Sequence, residues 1–265
     1  MSSKIKCALV SVFDKENIPS LLKCFKKYNI KIISSGGTYK SIKKLGYECI
    51  ELSRYTGFKE MLDGRVKTLH PKIHAGILHD RKKKSHKNEM AKQNFLSIDL
   101  IVVNFYPFQK VVTETRDPNE IVENIDIGGP TMVRAAAKNF SNVTIITNKD
   151  DYSSLIKELK KNNGATSLKF REIMSSKAFG LTAYYDAMIA NWFNNKLNIQ
   201  FPERKTIFGR KLKKLRYGEN PHQESSIYIN DYEDKKLGFT QIHGKELSYN
   251  NFNDMFASLD ILVSI

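Results

Sequence analysis

No apolar run in these 265 residues approaches the length needed to cross a bilayer, and the N-terminus lacks the charged, apolar and small-residue succession of a secretory signal. Both absences point to the cytoplasm. Cysteine is scarce: Cys7, Cys24 and Cys49 are an odd number at unrelated spacings. Two of them fall in apolar periodic segments, which fits buried free thiols in a reducing compartment better than a disulfide framework. There is no Cys/His spacing of the zinc-site kind and no run of interleaved aromatics of the kind that stacks RNA bases, so neither metal nor nucleic acid is expected. Acid is short as well. Asp and Glu number 28 against 43 Lys and Arg, for a net charge of +15. The lysines are nonetheless scattered over nearly every polar face, and only Arg81-Lys82-Lys83-Lys84 forms a run, which reads as a solvated loop or a guide for phosphorylated ligands.

What is present is enough hydrophobic residue, 41 %, to fill a core, over a length that allows one large domain or one domain and part of another. Cys7-Ala-Leu-Val-Ser-Val12 is a short apolar run, and after a turn Ile18, Leu21, Leu22 and Phe25 recur at helical spacing. The same alternation returns at Ile30 to Ser35, then Gly36-Gly37-Thr38 opening a helix through Ile42 and Leu45, then Tyr47 to Leu52. Leu100 to Tyr106 and Val143 to Thr147 add two more strands, and Asp150-Asp151 stand as helix-capping residues. Five strands alternating with helices predict an α/β fold with a doubly wound, mostly parallel sheet. An apolar stripe from Phe170 to Trp192 predicts a long helix over about 167–195 that closes a first domain, 1–200. Residues 201–265 then read as a linker and the beginning of a second domain, with an apolar helical face at Phe256, Leu259 and Val263 that runs to Ile265 without a cap.

The residues that could carry chemistry cluster at predicted strand ends. Ser34-Ser35-Gly36-Gly37-Thr38 lies where a strand passes into a helix, so its N–H groups and the helix dipole suit a phosphate, with Thr38 as N-cap. Ser11 and Lys15, after the first strand, fall at the same sheet edge. Gly64-Arg65-Val-Lys67-Thr68-Leu-His70-Pro71 gathers cations on a loop, and His70 and His74 are spaced like metal ligands but have Pro71 between them and no third partner. They read as structural or ligand-lining. Asp126 precedes Gly128-Gly129-Pro130 and a helix to Lys138, whose small neighbours Ala135, Ala136 and Ala137 would let it pack and lose solvent. Tyr106 and Asn104 end a strand at the same edge. An anionic substrate whose protons must be moved fits this equipment.

Taken together, Ser11-Val-Phe-Asp-Lys15, Ser35-Gly-Gly-Thr38, Thr56 to Pro71, His74-Ala-Gly-Ile-Leu78, Asn104-Phe-Tyr-Pro107, Asp126-Ile-Gly-Gly129 and Arg134-Ala-Ala-Ala-Lys-Asn139 resemble the bifunctional purine biosynthesis family that joins IMP cyclohydrolase to aminoimidazole carboxamide ribotide formyltransferase. The resemblance runs over essentially the whole chain. It implies a methylglyoxal synthase-like domain that closes the ring of formyl-aminoimidazole carboxamide ribotide without a cofactor, and a homodimer that binds a small nucleotide and neither nucleic acid nor membrane. It implies Lys67, Tyr106, Asp126 and Lys138 as catalytic. Nucleotide contacts are implied at Ser11, Asp14, Lys15, Ser35, Gly36, Gly37, Thr38, Arg65, Thr68, Asn104 and Ile127. Arg216-Tyr217 within Arg216 to Gln223, and Gly244 to Asn251, resemble the start of the formyltransferase domain, a cytidine deaminase-like α/β unit that uses 10-formyltetrahydrofolate. The Lys-His pair of that domain has no counterpart before Ile265. Phe13 departs from the family, where a small hydroxyl residue is usual. A noncatalytic nucleotide- or phosphate-sensing module of the same fold is the alternative; it needs the glycine loop but not the four catalytic residues together.

Overall fold

The structure, a computed structural model, describes residues 2–62, 65–229 and 239–264; Gly64 and Ile265, both used in the sequence reading, lie outside the described residues. The chain runs β1 (Ser2–Lys4), β2 (Cys7–Val12), α1 (Ile18–Lys27), β3 (Lys31–Ser34), α2 (Gly36–Lys44), β4 (Ile50–Glu51), α3 (Leu52–Thr56), α4 (Pro71–Leu78) and α5 (Lys84–Lys92). It continues with β5 (Leu100–Asn104), α6 (Phe108–Glu114), α7 (Pro118–Glu123), α8 (Gly128–Lys138), β6 (Thr144–Ile146), α9 (Tyr152–Lys161), β7 (Ala165–Ser167) and α10 (Leu168–Lys196). After α10 come β8 (Arg210–Lys214), β9 (Ser226–Ile229) and α11 (Tyr249–Ser264).

All five expected strands form one parallel sheet, ordered β4-β3-β2-β5-β6. The central strands β2 and β5 are apolar on both faces because helices cover both, which is why the sequence showed runs there and no period-two alternation. This is the doubly wound order, and the direction in which successive strands are added reverses between β2 and β5, where Val12 stands in register with Asn104. A crevice is expected beyond the carboxyl ends of these two strands, and the site lies there. The sequence did not foreshadow the small antiparallel pair β1–β7, since three residues of Ser-Ser-Lys carry no strand signal. Asp151 does not cap: Asn148 accepts from the Asp150 N–H and opens a 3-10 turn, while the largely buried Asp151 carboxylate pairs with Lys177 at 2.5 Å.

Buried Arg171, 2 % exposed, ties the closing helix to the sheet layer. Its guanidinium donates to the carbonyls of Phe140, Ser141 and Thr166. The chain divides into two compact units, Met1–Asp186 and Ala187–Ile265. The division falls inside α10, ahead of the boundary read at residue 200. Met174 and Ala178 on the N-terminal part of α10 belong to the central core cluster, so that part of the helix counts with the sheet.

In the second unit β8 and β9 form an antiparallel hairpin with an irregularity between Lys211 and Lys213. The backbone N–H of Arg216 donates to the Leu247 carbonyl and that of Tyr249 to the Tyr217 carbonyl, joining the β8–β9 connection to the start of α11, where Phe252 and Phe256 pack against Phe239. Among the described residues no helix is long and apolar enough to cross a membrane.

Candidate active site

A cavity of about 690 Å³ opens at the switch point, bounded by the turn after β2, the start of α2, the 65–68 loop, the end of β5 and the start of α8. The geometry begins with two helices. α2 starts at Gly36, whose φ of +51° only glycine adopts at low cost, and a Cβ there would lie 2.7 Å from Lys67 Nζ. The same glycine thus makes the turn and leaves room for the ammonium. Lys15 lies against Gly37, its Nζ 3.8 Å from the position a Cβ would take, an ordinary contact distance. At α8, a Cβ on Gly128 would overlap Thr68, and one on Gly129 would overlap the Asp126 carboxylate.

Asp126 Oδ1 accepts from the Gly129 N–H at 2.8 Å, so the carboxylate sits on the positive end of α8. Burial raises its pKa from the ordinary carboxylate value, and the N–H groups of Gly129 and Gly128 only partly oppose that rise. Its own N–H donates to the Tyr185 hydroxyl at 2.8 Å, and Tyr185 is buried against Phe105 and Phe108 with its pKa pushed up to about 12 by burial. Tyr185 therefore fixes the backbone of Asp126 as a neutral phenol. Sequence reasoning saw it only as one member of the α10 apolar stripe; a hydroxyl on an otherwise apolar face was the available signal.

Most of the expected residues meet here. Ser11, Lys15, Ser35, Gly36, Gly37, Thr38, Arg65, Lys67, Thr68, Asn104, Tyr106, Asp126 and Ile127 all line the cavity. Several do so in another capacity than the sequence suggested. Thr38 Oγ1 accepts from the Val12 N–H and donates to the Val12 carbonyl, a buried staple between β2 and α2, and Ser35 takes the N-cap position. Asn104 spends its amide on the turn, with Oδ1 accepting from the Phe13 and Asp14 N–H groups and Nδ2 donating to the Asp14 carbonyl. Its contribution to the site is the shape of that turn. Asp14 is not in the cavity: its carboxylate pairs with Lys149 at 2.8 Å and accepts from the Glu16 N–H, and these bonds lower its pKa. Lys149 also pairs with Glu16, which clasps the turn to the end of β6.

Lys138 is the main correction. It is exposed at the last turn of α8, whereas Asp126 stands before the first, and a helix rising about 1.5 Å per residue separates them by roughly 18 Å. The small alanines before it, Ala135, Ala136 and Ala137, face the core and leave Lys138 outside. No Asp126–Lys138 pair forms within the chain. Arg216 and Tyr217 belong to the second unit, where the guanidinium lies 4.8 Å from the tyrosine ring centroid and donates to its hydroxyl at 3.1 Å. Hydrogen bonds with Ser248 and Arg216 lower the phenol's pKa.

Two acidic side chains near the cavity were not foreseen. Glu60 pairs with Lys67 at 2.9 Å, and Glu123 takes Arg65 in a two-point pair. Phe13 stands at the rim, 46 % exposed, with its ring edge-on to Tyr106 at 4.4 Å between centroids. His70 caps α4 by accepting from the Lys72 N–H, burial lowers the pKa of His74, and neither lines the cavity. Among the described residues no cluster of three or more His, Cys, Asp or Glu could hold a metal ion.

Residues 17–131 match the MGS-like domain model, and residues 136–264 match the AICARFT/IMPCHase bienzyme model. A Bradyrhizobium diazoefficiens protein named bifunctional purine biosynthesis protein PurH is 44 % identical over 262 residues, which is 98 % of this chain and 49 % of that protein. The chain belongs to this AICARFT/IMPCHase bienzyme family. A PurH protein of Persephonella marina is 46 % identical over 260 residues, 96 % of this chain and 50 % of its own length. The chain thus spans about half the length of the curated PurH relatives it matches. A crystal structure titled ForH superposes with a TM-score of 0.64 at 32 % identity, covering 71 % of this chain and 99 % of that one. The match to the MGS-like domain model agrees with the parallel five-stranded sheet.

Proposed function

We propose that the cavity closes the purine ring of formyl-aminoimidazole carboxamide ribotide to give inosine monophosphate and water. The observation that carries this reading is the convergence of Lys67, Tyr106 and Asp126 on one cavity with two glycine-started helices. The α2 N-terminus, with Lys15 and Lys67 against it, is the seat for the 5′-phosphate. The α8 N-terminus already holds a carboxylate of the protein, so the reacting end of the substrate faces Asp126.

Both reacting groups sit on adjacent carbons of one ring, so the protein need only fix their rotamers and manage charge. The carboxamide nitrogen bonds to the formyl carbon, Lys67 stabilises the oxyanion that forms there, and that oxygen then leaves as water. Asp126, with its raised pKa, and Tyr106 relay the protons: one leaves the carboxamide nitrogen and one the formamide nitrogen, both go to the former formyl oxygen, and the C–O bond breaks as the ring C=N bond forms. Lys138, outside the cavity, has no step in this scheme. The longer family members' second activity, formyl transfer from 10-formyltetrahydrofolate, would engage Arg216 and Tyr217. A cytoplasmic location and a homodimer complete the reading, the latter open to light scattering.

Mixing the purified protein with the formylated ribotide and following inosine monophosphate by absorbance tests it. Turnover that is lost in Lys67→Met and Asp126→Asn supports the proposal. Nucleotide binding without any turnover would leave the noncatalytic sensing module instead.

A further inference from the structure

We propose that Glu60 is the built-in counter-ion of the anion seat, bound to Lys67 until a ligand phosphate takes its place. The inference rests on the reading of the α2 end of the cavity as a phosphate seat, and names what occupies its cation beforehand.

Lys67 Nζ is packed against Gly36 and Lys15 Nζ against Gly37, so two ammonium groups face the first turn of α2. That turn carries the positive end of the helix dipole, contains no acidic residue and receives no side-chain cap. Three positive features in one place repel one another unless an anion joins them. Among the described residues, Lys15 Nζ donates to the Phe13 carbonyl, at 3.1 Å, and pairs with no carboxylate. The carboxylate that Lys67 finds is Glu60, at 2.9 Å, seven residues before it on a segment, 58–61, that is neither helix nor strand. A phosphate at α2 would place two negative charges beside this carboxylate. Like charges at such range exclude one another, and the glutamate, about half exposed on an irregular segment, is the partner able to leave. Ligand affinity is then the difference between phosphate and Glu60 as partners for Lys67, which keeps binding reversible for a product that must be released.

Titration calorimetry on the whole 265-residue protein, with inosine monophosphate, inorganic phosphate and phosphate-free inosine, provides the test. Glu60→Gln removes the competing charge and should tighten both phosphate-bearing ligands about two- to fivefold, the range expected for loss of a partly exposed ion pair, while leaving inosine unchanged. In a Lys67→Met background the gain should vanish. An unchanged or weakened phosphate affinity in Glu60→Gln overturns the proposal, and so does equal tightening of inosine or a gain that survives Lys67→Met. Normal inosine monophosphate binding with no effect of Glu60→Gln sinks this inference alone. Failure of the unsubstituted protein to bind either phosphate ligand removes the phosphate seat itself.

Discussion

Asp126 illustrates how one side chain can be costly to the fold and needed by the site. Burial raises its pKa, so the folded protein holds the proton more tightly than the unfolded chain does. A raised pKa stabilises the fold fully below the unfolded value, and that contribution is lost as pH rises through the folded value. At neutral pH the ionised carboxylate is therefore a burden, relieved only in part by the Gly128 and Gly129 N–H groups. Asp126→Asn, which retains an acceptor for the cap, should melt above the unsubstituted protein at pH 7. The gap should close as pH is lowered from the raised value toward the ordinary carboxylate value; scanning calorimetry across that range checks the sign. Ring closure in the same variant should fall about 10²- to 10⁴-fold, the usual loss of a proton-transfer group, with inosine monophosphate binding still measurable.

At the scale of elements, α2 and α8 do the positioning, each through its first turn. Gly36 and Gly46 offer a controlled comparison, since both have positive φ, +51° and +79°, but a Cβ meets Lys67 at the first and nothing within 4 Å at the second. Each Gly→Ala change should cost about 1–2 kcal/mol in backbone strain, measured by denaturant unfolding. Only Gly36→Ala should also weaken phosphate binding, because only there must the ammonium move. α8 supplies the opposite lesson. Its eleven residues carry Asp126 before one end and Lys138 at the other, so Lys138→Ala should leave the pH profile governed by Asp126 where it is. A displaced acidic limb of the pH–rate profile in that variant would show that the lysine reaches the carboxylate after all.

For the molecule as a whole, the cavity is built entirely from residues of the first unit, Met1–Asp186. The stretch between α10 and β8 has no helix or strand, and within it Phe201 and Ile207 are about nine-tenths exposed. Arg204 and Lys205 lie in this stretch. Brief trypsin treatment should cut there first, because exposed backbone without hydrogen-bonded structure is the ready substrate of a protease. The larger fragment, which keeps Tyr185 and all of α10, should retain inosine monophosphate binding. Loss of binding on this single cut, followed by mass spectrometry and calorimetry, would show that the second unit is needed by the site.

The sequence alone determined the sheet, its parallel sense and the edge at which the cavity lies, because apolar runs, helical periods and glycine-rich strand ends are local properties of the chain. It also placed Lys67, Tyr106, Asp126 and the glycine loop correctly at one edge, through motifs that each occupy a few neighbouring residues. Which of those side chains remain available to a ligand was settled only by tertiary structure. Thr38 and Asn104 are consumed by Val12 and by the Phe13–Asp14 turn, and Asp14 by Lys149, through contacts between residues 26 to 135 positions apart that no spacing rule predicts. Lys138 was misplaced because a run of alanines reads equally as packing around a lysine and as a buried face pointing away from it. Glu123 and Tyr185 carried no motif, and Glu60, though within the Thr56 to Pro71 block, was given no role there; all three became part of the site only when folding set them against Arg65, Asp126 and Lys67.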